Sequence, residues 1–159
     1  MSEADILLSE ATAADLDAVM AVMDDSFEPR FGEAWTAAQC AGLLPMPGVW
    51  MVLARQDGKA VGFTLARASA DEAELLLLAV RSTVQRRGIG KFLLDRFETD
   101  AQDRGAAHLH LEVREGNHAL GLYEQGGYRL VGRRRNYYSG HGGSTYDALT
   151  LAKVVDKSY

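Results

Sequence analysis

The chain has 159 residues, 47% of them hydrophobic and 25% charged, which suits one ordinary soluble globular domain spanning residues 1–159. No apolar run reaches the ~20 residues of a membrane-spanning helix, so no membrane contact is expected. The formal net charge of −5 argues against a direct nucleic-acid partner, which needs a basic surface.

A single cysteine, Cys40, excludes an intrachain disulfide. The start Met1-Ser2-Glu3-Ala4-Asp5 is acidic, unlike the basic start of a signal peptide. Both features point to a reducing cytoplasm.

Along the chain, Ile6-Leu7-Leu8 reads as a strand. Thr12-Ala13-Ala14-Asp15 resembles a capping box with Asp in the place of Glu or Gln. Leu16, Val19, Met20 and Met23 then recur at helical spacing. Thr36-Ala37-Ala38-Gln39 is a full capping box for a second helix ending before Pro45. Strands are expected over 49–54 and 61–66, joined at Asp57-Gly58. The leucine run of 74–80 shows no polar alternation and predicts a more deeply buried strand.

After a glycine loop, Ile89, Leu93, Phe97 and Ala101 fall four apart on one helix face, and Gly105 is a stop. A strand over 108–113 and a short helix over about 117–125 follow. Strands over 128–131 and 146–151 close the chain, with a mobile glycine loop from Ser139 to Ser144 between them. This order predicts a mixed α/β fold around one sheet.

Gln85-Arg86-Arg87-Gly88-Ile89-Gly90 joins the buried strand to a helix. A helix start offers unpaired N–H groups and the positive end of the dipole, a natural phosphate site. Gly88 and Gly90 let backbone approach closely, and Arg86, Arg87 and Lys91 add charge. A P-loop is excluded, since Gln85 stands where its first glycine belongs and Phe92 follows Lys91. A dinucleotide fingerprint needs a third glycine where Leu93 stands. Arg129, Arg133, Arg134 and Arg135 form a second basic group, either an anion site or a solvated face.

Gln-x-x-Gly-x-Gly after a buried strand resembles the acyl-CoA loop of the GNAT superfamily of N-acetyltransferases. The resemblance covers nearly the whole chain. It extends through Trp35-Thr36, Leu111-Glu112-Val113-Arg114, Asn117, Leu122-Tyr123, Gly127-Tyr128, Arg134-Arg135-Asn136-Tyr137-Tyr138 and Asp147-Ala148-Leu149. It is nearest to the bacterial ribosomal-protein-alanine N-acetyltransferases.

The resemblance implies a mixed, mostly antiparallel sheet of six to seven strands with about four helices. It implies acetyl-CoA as co-substrate, no metal, and the N-terminus of a protein, a ribosomal one, as acceptor. By the same resemblance Leu78, Ala79 and Val80 line the acetyl-pantetheine arm, and Gln85, Arg86, Arg87, Gly88, Ile89, Gly90 and Lys91 form the pyrophosphate loop. Glu112 is the base and Tyr123 the acid. Asn117 contacts the pantetheine arm, while Leu77 and Tyr138 face the acceptor.

Each residue also has a plainer reading. Glu112 fits an exposed strand glutamate, Tyr123 a packing tyrosine, Asn117 a helix cap, and Arg134–Tyr138 a soluble strand edge. The Asn117–Tyr123 segment is one residue shorter than the family pattern, which turns a helix by ~100°. An enzyme for small-molecule amines or lysine side chains, and a non-catalytic acyl-CoA-binding module, remain open alternatives. His108 and His110 share a strand face without a third ligand and suggest no metal.

Overall fold

The computed structural model describes residues 5–85 and 88–155, so Arg86 and Arg87 lie outside the described residues. The elements are β1 (Ile6–Glu10), α1 (Leu16–Ser26), α2 (Ala37–Leu43), β2 (Val49–Gln56), β3 (Lys59–Ser69), β4 (Glu72–Val80), α3 (Ile89–Asp103), β5 (His108–Arg114), α4 (Leu120–Gln125), β6 (Arg129–Ser139) and β7 (Thr145–Val154). One seven-stranded sheet runs in the order β1-β2-β3-β4-β5-β7-β6. Its neighbours are antiparallel except for the parallel pair β4–β5. This is the mixed, mostly antiparallel α/β sheet expected. Among the described residues no helix is long and apolar enough to cross a membrane.

Two helical starts, that of α2 and that of the turn leading into α1, are fixed by capping boxes. At α2 the Gln39 N–H donates to Thr36 Oγ1 at 3.1 Å, and the Thr36 N–H donates to Gln39 Oε1 at 2.7 Å. At Thr12 the same reciprocal pair forms with Asp15, but it caps a short 3-10 turn, Ala13–Asp15, that runs on into α1. The Thr12 N–H holds the Asp15 carboxyl below its ordinary value, with Arg55 helping and partial burial opposing.

The sheet has a core on each face. Val19, Val22 and Met23 of α1 and Cys40 of α2 pack on Met51, Leu53, Phe63, Leu65, Leu77 and Ala79. On the other face Ile89, Leu93, Leu94, Phe97 and Ala101 of α3 meet Trp50, Val52, Leu75, Leu109 and Leu111. Burying each large aliphatic or phenyl side chain of α3 contributes roughly 1.5–3 kcal/mol. At Gly62 a Cβ would lie 2.9 Å from the Ala79 carbonyl oxygen and 3.0 Å from Leu93 Cδ1. Only glycine admits α3 this close.

Three sequence expectations are corrected. β4 does alternate: Ala73, Leu75, Leu77 and Ala79 are buried while Glu74, Leu76, Leu78 and Val80 are only partly so. A uniform leucine run hides that pattern. The final strands are also longer than expected, because β6 continues through its arginines to Ser139. Finally, the glycine loop after β6 is packed rather than free. The His141 N–H donates to the Pro29 carbonyl at 3.2 Å, and a Cβ on Gly140 would collide with the Arg30 backbone.

Candidate active site

β4 and β5 run side by side only from Glu72↔His108 to Leu75↔Leu111. Beyond that pair no ladder forms between 76–80 and 112–114. The cause lies on the other edge of β4. Its register against β3 shifts between Leu65↔Leu77 and Ala66↔Leu75, leaving Leu76 as an extra, bulged residue. A bulge bends its strand and increases local twist, so β4 turns away from β5 immediately after their last pair. The bulge also changes the parity of the strand. Leu78 and Val80 thus pack toward the same core as Ala73 and Leu75, while Leu76 and Leu77 pack toward the other.

The resulting cleft encloses about 110 Å³. It brings together Leu77, Leu78, Glu112, Asn117, Tyr123 and Tyr138, which are six of the expected site residues. The Glu112 side chain is 13% exposed and lies 3.1 Å from Arg134 Nε. It also accepts a hydrogen bond from Thr150 Oγ1 at 3.2 Å. These contacts, from β6 and β7, fix where its carboxylate points. An exposed, solvated strand glutamate does not describe it.

α4 begins later than expected, at Leu120. Asn117 explains why. Its Oδ1 accepts the Ala119 N–H at 2.7 Å, closing a turn ahead of the helix, and its Nδ2 donates to Glu33 Oε2 at 2.6 Å. Tyr123 lines the cleft from the helix that follows this turn. The Tyr123 side chain is buried and packs edge-on against Tyr128, with centroids 6.0 Å apart. Burial first, and the Glu33 charge second, push its phenol well above the usual range. Burial does the same to Tyr138, again seconded by Glu33.

The opposite wall comes from a loop and a strand that the sequence did not mark as a unit. Phe27, Glu33 and Trp35 from the α1–α2 connection line the cleft, as do Tyr137 and Tyr138 of β6. β6 reaches it through a wide bulge, in which 135–137 face only Asp147 between the pairs Arg134↔Ala148 and Tyr138↔Tyr146. Asn136 sits there at φ +53°. Asp147 fills the bulge, accepting the Asn136 N–H at 3.0 Å and an Arg133 N–H at 2.8 Å. Glu33 is the residue sequence reasoning missed. Its side chain is 9% exposed and meets Arg114, 8% exposed, at 3.1 Å. The available signal was an acid set between Phe31 and Trp35, which charge alone presents as solvated.

The expected phosphate loop lies at the start of α3. Gly88 caps the helix at φ +82°, with no described residue crowding it, in the strained backbone that glycine alone adopts cheaply. Gly90 serves packing instead, since a Cβ there would lie 3.2 Å from Leu122 Cδ2. The Ile89 side chain is buried, so only its backbone can face a ligand. Gln85 turns back, donating from Nε2 to the Val80 carbonyl at 3.1 Å. Ser26 Oγ donates to the same carbonyl at 2.8 Å. Lys91 pairs with Asp95 and Arg81 donates to the Ala60 carbonyl, so both cations are partly engaged. Ala79 is buried in the α1-side core and does not line the cleft.

A family model described as the acetyltransferase (GNAT) family matches residues 16–128. The chain belongs to the GNAT acetyltransferase family. It is accordingly an N-acetyltransferase of the kind that uses acetyl-CoA as co-substrate.

Among GNAT relatives, the [ribosomal protein bS18]-alanine N-acetyltransferase of Escherichia coli K12 is 40% identical over 101 residues, 63% of this chain and 68% of that protein. The Haemophilus influenzae protein of the same name is 36% identical over 97 residues, 61% of this chain and 66% of its own. The aligned segments thus span about two thirds of these curated relatives. The crystal structure of the E. coli ribosomal-protein-S18-alanine N-acetyltransferase superposes with a TM-score of 0.85 at 29% identity, covering 97% of this chain and 96% of that one. The structure of Ard1 from Thermoplasma volcanium gives 0.82 at 25%, covering 95% and 98%.

Proposed function

We propose that this GNAT enzyme transfers acetyl from acetyl-CoA to the N-terminal amine of a protein, and that the protein is ribosomal. The observation that carries the reading is one cleft holding a fixed carboxylate, Glu112, and a buried phenol, Tyr123, beside the open edge of β4. The relatives' names supply the acceptor class. A ribosomal acceptor also sets the compartment as the cytoplasm.

The residues present fit an acyl-CoA. The edge of β4 over Leu78, Ala79 and Val80 has no strand partner on the β5 side, and an extended arm with amide groups pairs with such an edge. The α3 start at Gly88, Ile89, Gly90 and Lys91, joined by Arg86 and Arg87, suits the pyrophosphate. Gln85 braces this loop through Val80. Asn117 holds the start of α4 beside the arm.

In the transfer, the amine nitrogen bonds to the thioester carbonyl carbon and the carbon–sulfur bond breaks. Glu112 takes the proton the amine loses, and Tyr123 gives a proton to the departing thiolate. An N-terminal amine has a pKa of roughly 7.7–8.0, so a strand carboxylate suffices as base. A phenol raised by burial stays protonated until the thiolate forms.

The cleft's carboxylates also speak to the acceptor. Glu33, Glu74 and Glu112 line it, and each lies 3.0–3.1 Å from an arginine: Arg114, Arg67 and Arg134. A site for a polyamine would keep such charge free. Phe27, Trp35, Leu76 and Leu77 offer an apolar seat for a small first side chain, and Tyr138 stands beside it.

The test uses acetyl-CoA and a peptide matching the N-terminus of ribosomal protein bS18, with released CoA as the readout. Release that depends on a free peptide N-terminus is expected. Release with small-molecule amines alone would contradict the acceptor.

A further inference from the structure

We infer that Glu33 is a positioning residue for the acetyl transfer, acting through Asn117 on the direction of Tyr123. The inference rests on the proposed role of Tyr123. Glu33 sits in the α1–α2 connection, far in sequence from every group it touches. Oε1 lies 3.1 Å from Arg114 Nε at the end of β5, and Oε2 accepts from Asn117 Nδ2 at 2.6 Å. The Asn117 side chain passes the constraint on, since its Oδ1 holds the Ala119 N–H at 2.7 Å. The Ala119 carbonyl in turn accepts the Tyr123 N–H at 3.1 Å. A continuous chain of polar contacts therefore runs from the acceptor-side loop to the backbone of Tyr123.

Arg114 anchors the other end. Its guanidinium lies 3.6 Å from the centroid of the Phe31 ring and 5.9 Å from that of Tyr146. Phe31 and Tyr146 also touch edge-on at 5.2 Å. Phe31 and Glu33 belong to one loop, Tyr146 to the start of β7, and Arg114 to β5. Arg114 thus ties three chain segments together beside Glu33.

A buried ion pair is weak evidence for a stability role, since well-packed apolar residues can often replace it where desolvation offsets the attraction. The geometry is not optimised for strength either. Arg114 Nε is buried and lies within ion-pair distance of Glu33, yet its N–H is not aligned for a hydrogen bond. What the pair does provide is direction. It holds Asn117 in the turn that lets the shortened approach to α4 place Tyr123 in the cleft.

The experiment is a double-mutant cycle on the full chain, comparing wild type, Glu33→Gln, Tyr123→Phe and the double variant. Glu33→Gln keeps the size of the side chain and an acceptor for Asn117, but removes the charge that Arg114 holds. With the acceptor peptide, kcat is expected to fall about tenfold in Glu33→Gln, with KM for acetyl-CoA within about twofold of wild type. In the Tyr123→Phe background the same substitution is expected to cost less than about twofold, because the group it positions is gone.

Equal losses in both backgrounds, or no loss in wild type, overturn the inference. Melting temperatures of all four proteins separate misfolding from misplacement. Should Glu33→Gln not fold, Glu33→Asp takes its place in the cycle, with the same two outcomes deciding. A wild type that releases no CoA with any protein N-terminal peptide refutes the proposed acceptor. The same four proteins, assayed on whichever amine it does acetylate, then decide the positioning role separately.

Discussion

The two sides of the cleft are built by different means. The side proposed for acetyl-CoA is one contiguous stretch, β4 into α3, and it works through backbone: an open strand edge, a helix start and a glycine at φ +82°. The side proposed for the acceptor adds three distant segments, 27–35, 112–123 and 134–138, to Leu76 and Leu77 of β4. It works through side chains, several of them charged or aromatic, with the Glu33 side chain 9% exposed and Tyr123 buried. A ligand shared across a family can be held by backbone that tolerates sequence change. A particular acceptor must be read by side chains, and these have to be pinned individually.

The largest expected effect breaks the acceptor side alone. Glu112→Gln should lower kcat by roughly 10²–10⁴, the usual range for a general base, while calorimetry shows acetyl-CoA binding unchanged. Turnover near the wild-type rate would remove Glu112 from the chemistry. Next, Tyr123→Phe should lower kcat by about ten- to a hundredfold with little change in KM for the peptide. Since burial and the Glu33 charge keep its phenol raised, the wild-type rate should show no alkaline loss attributable to Tyr123 below about pH 9.

The cofactor side is probed by Gly88→Ala. A left-handed backbone costs a residue with a Cβ roughly 1–2 kcal/mol. The expected result is a raised KM for acetyl-CoA and a melting point lower by a few degrees, with kcat at saturation near wild type.

A smaller effect sharpens the comparison through pH. Asp147 is held below its ordinary 3.8 by the Asn136 N–H first and then by Arg133, and Glu115 below its ordinary 4.5 chiefly by Arg133. Groups depressed in the folded state stabilise it fully above their unfolded values, and that contribution fades as pH falls through the folded ones. The β6 bulge should therefore loosen below about pH 4, with a falling urea midpoint that is flatter in Asp147→Asn. The smallest expected change is Thr36→Ala, which removes one cap of α2 at about 1 kcal/mol without touching kinetics.

The contrast also explains what could be read in advance. α3 was legible because Ile89, Leu93, Phe97 and Ala101 carry the helical period. All seven strands were legible from apolar runs and turn residues. The bulges were not. Leu76 lies in a run of leucines where a one-residue shift leaves no trace, and 135–137 form a basic and polar stretch that resembles a surface loop. Glu33 was hidden for a different reason. Its partners Arg114 and Asn117 lie some eighty positions away, and only the folded chain brings them together. Gln85 and Gly90 were expected in a phosphate loop, and the structure gives them bracing and packing contacts.

The most direct test of the central claim is to locate the acetyl group. The enzyme is incubated with acetyl-CoA and a peptide that has a free N-terminal alanine and an internal lysine, alongside the same peptide with its N-terminus blocked. Fragment mass spectrometry then assigns the modified nitrogen. Acetyl is expected on the α-amine of the free peptide and none on the blocked one. Acetyl on the lysine Nζ of either peptide would contradict the claim.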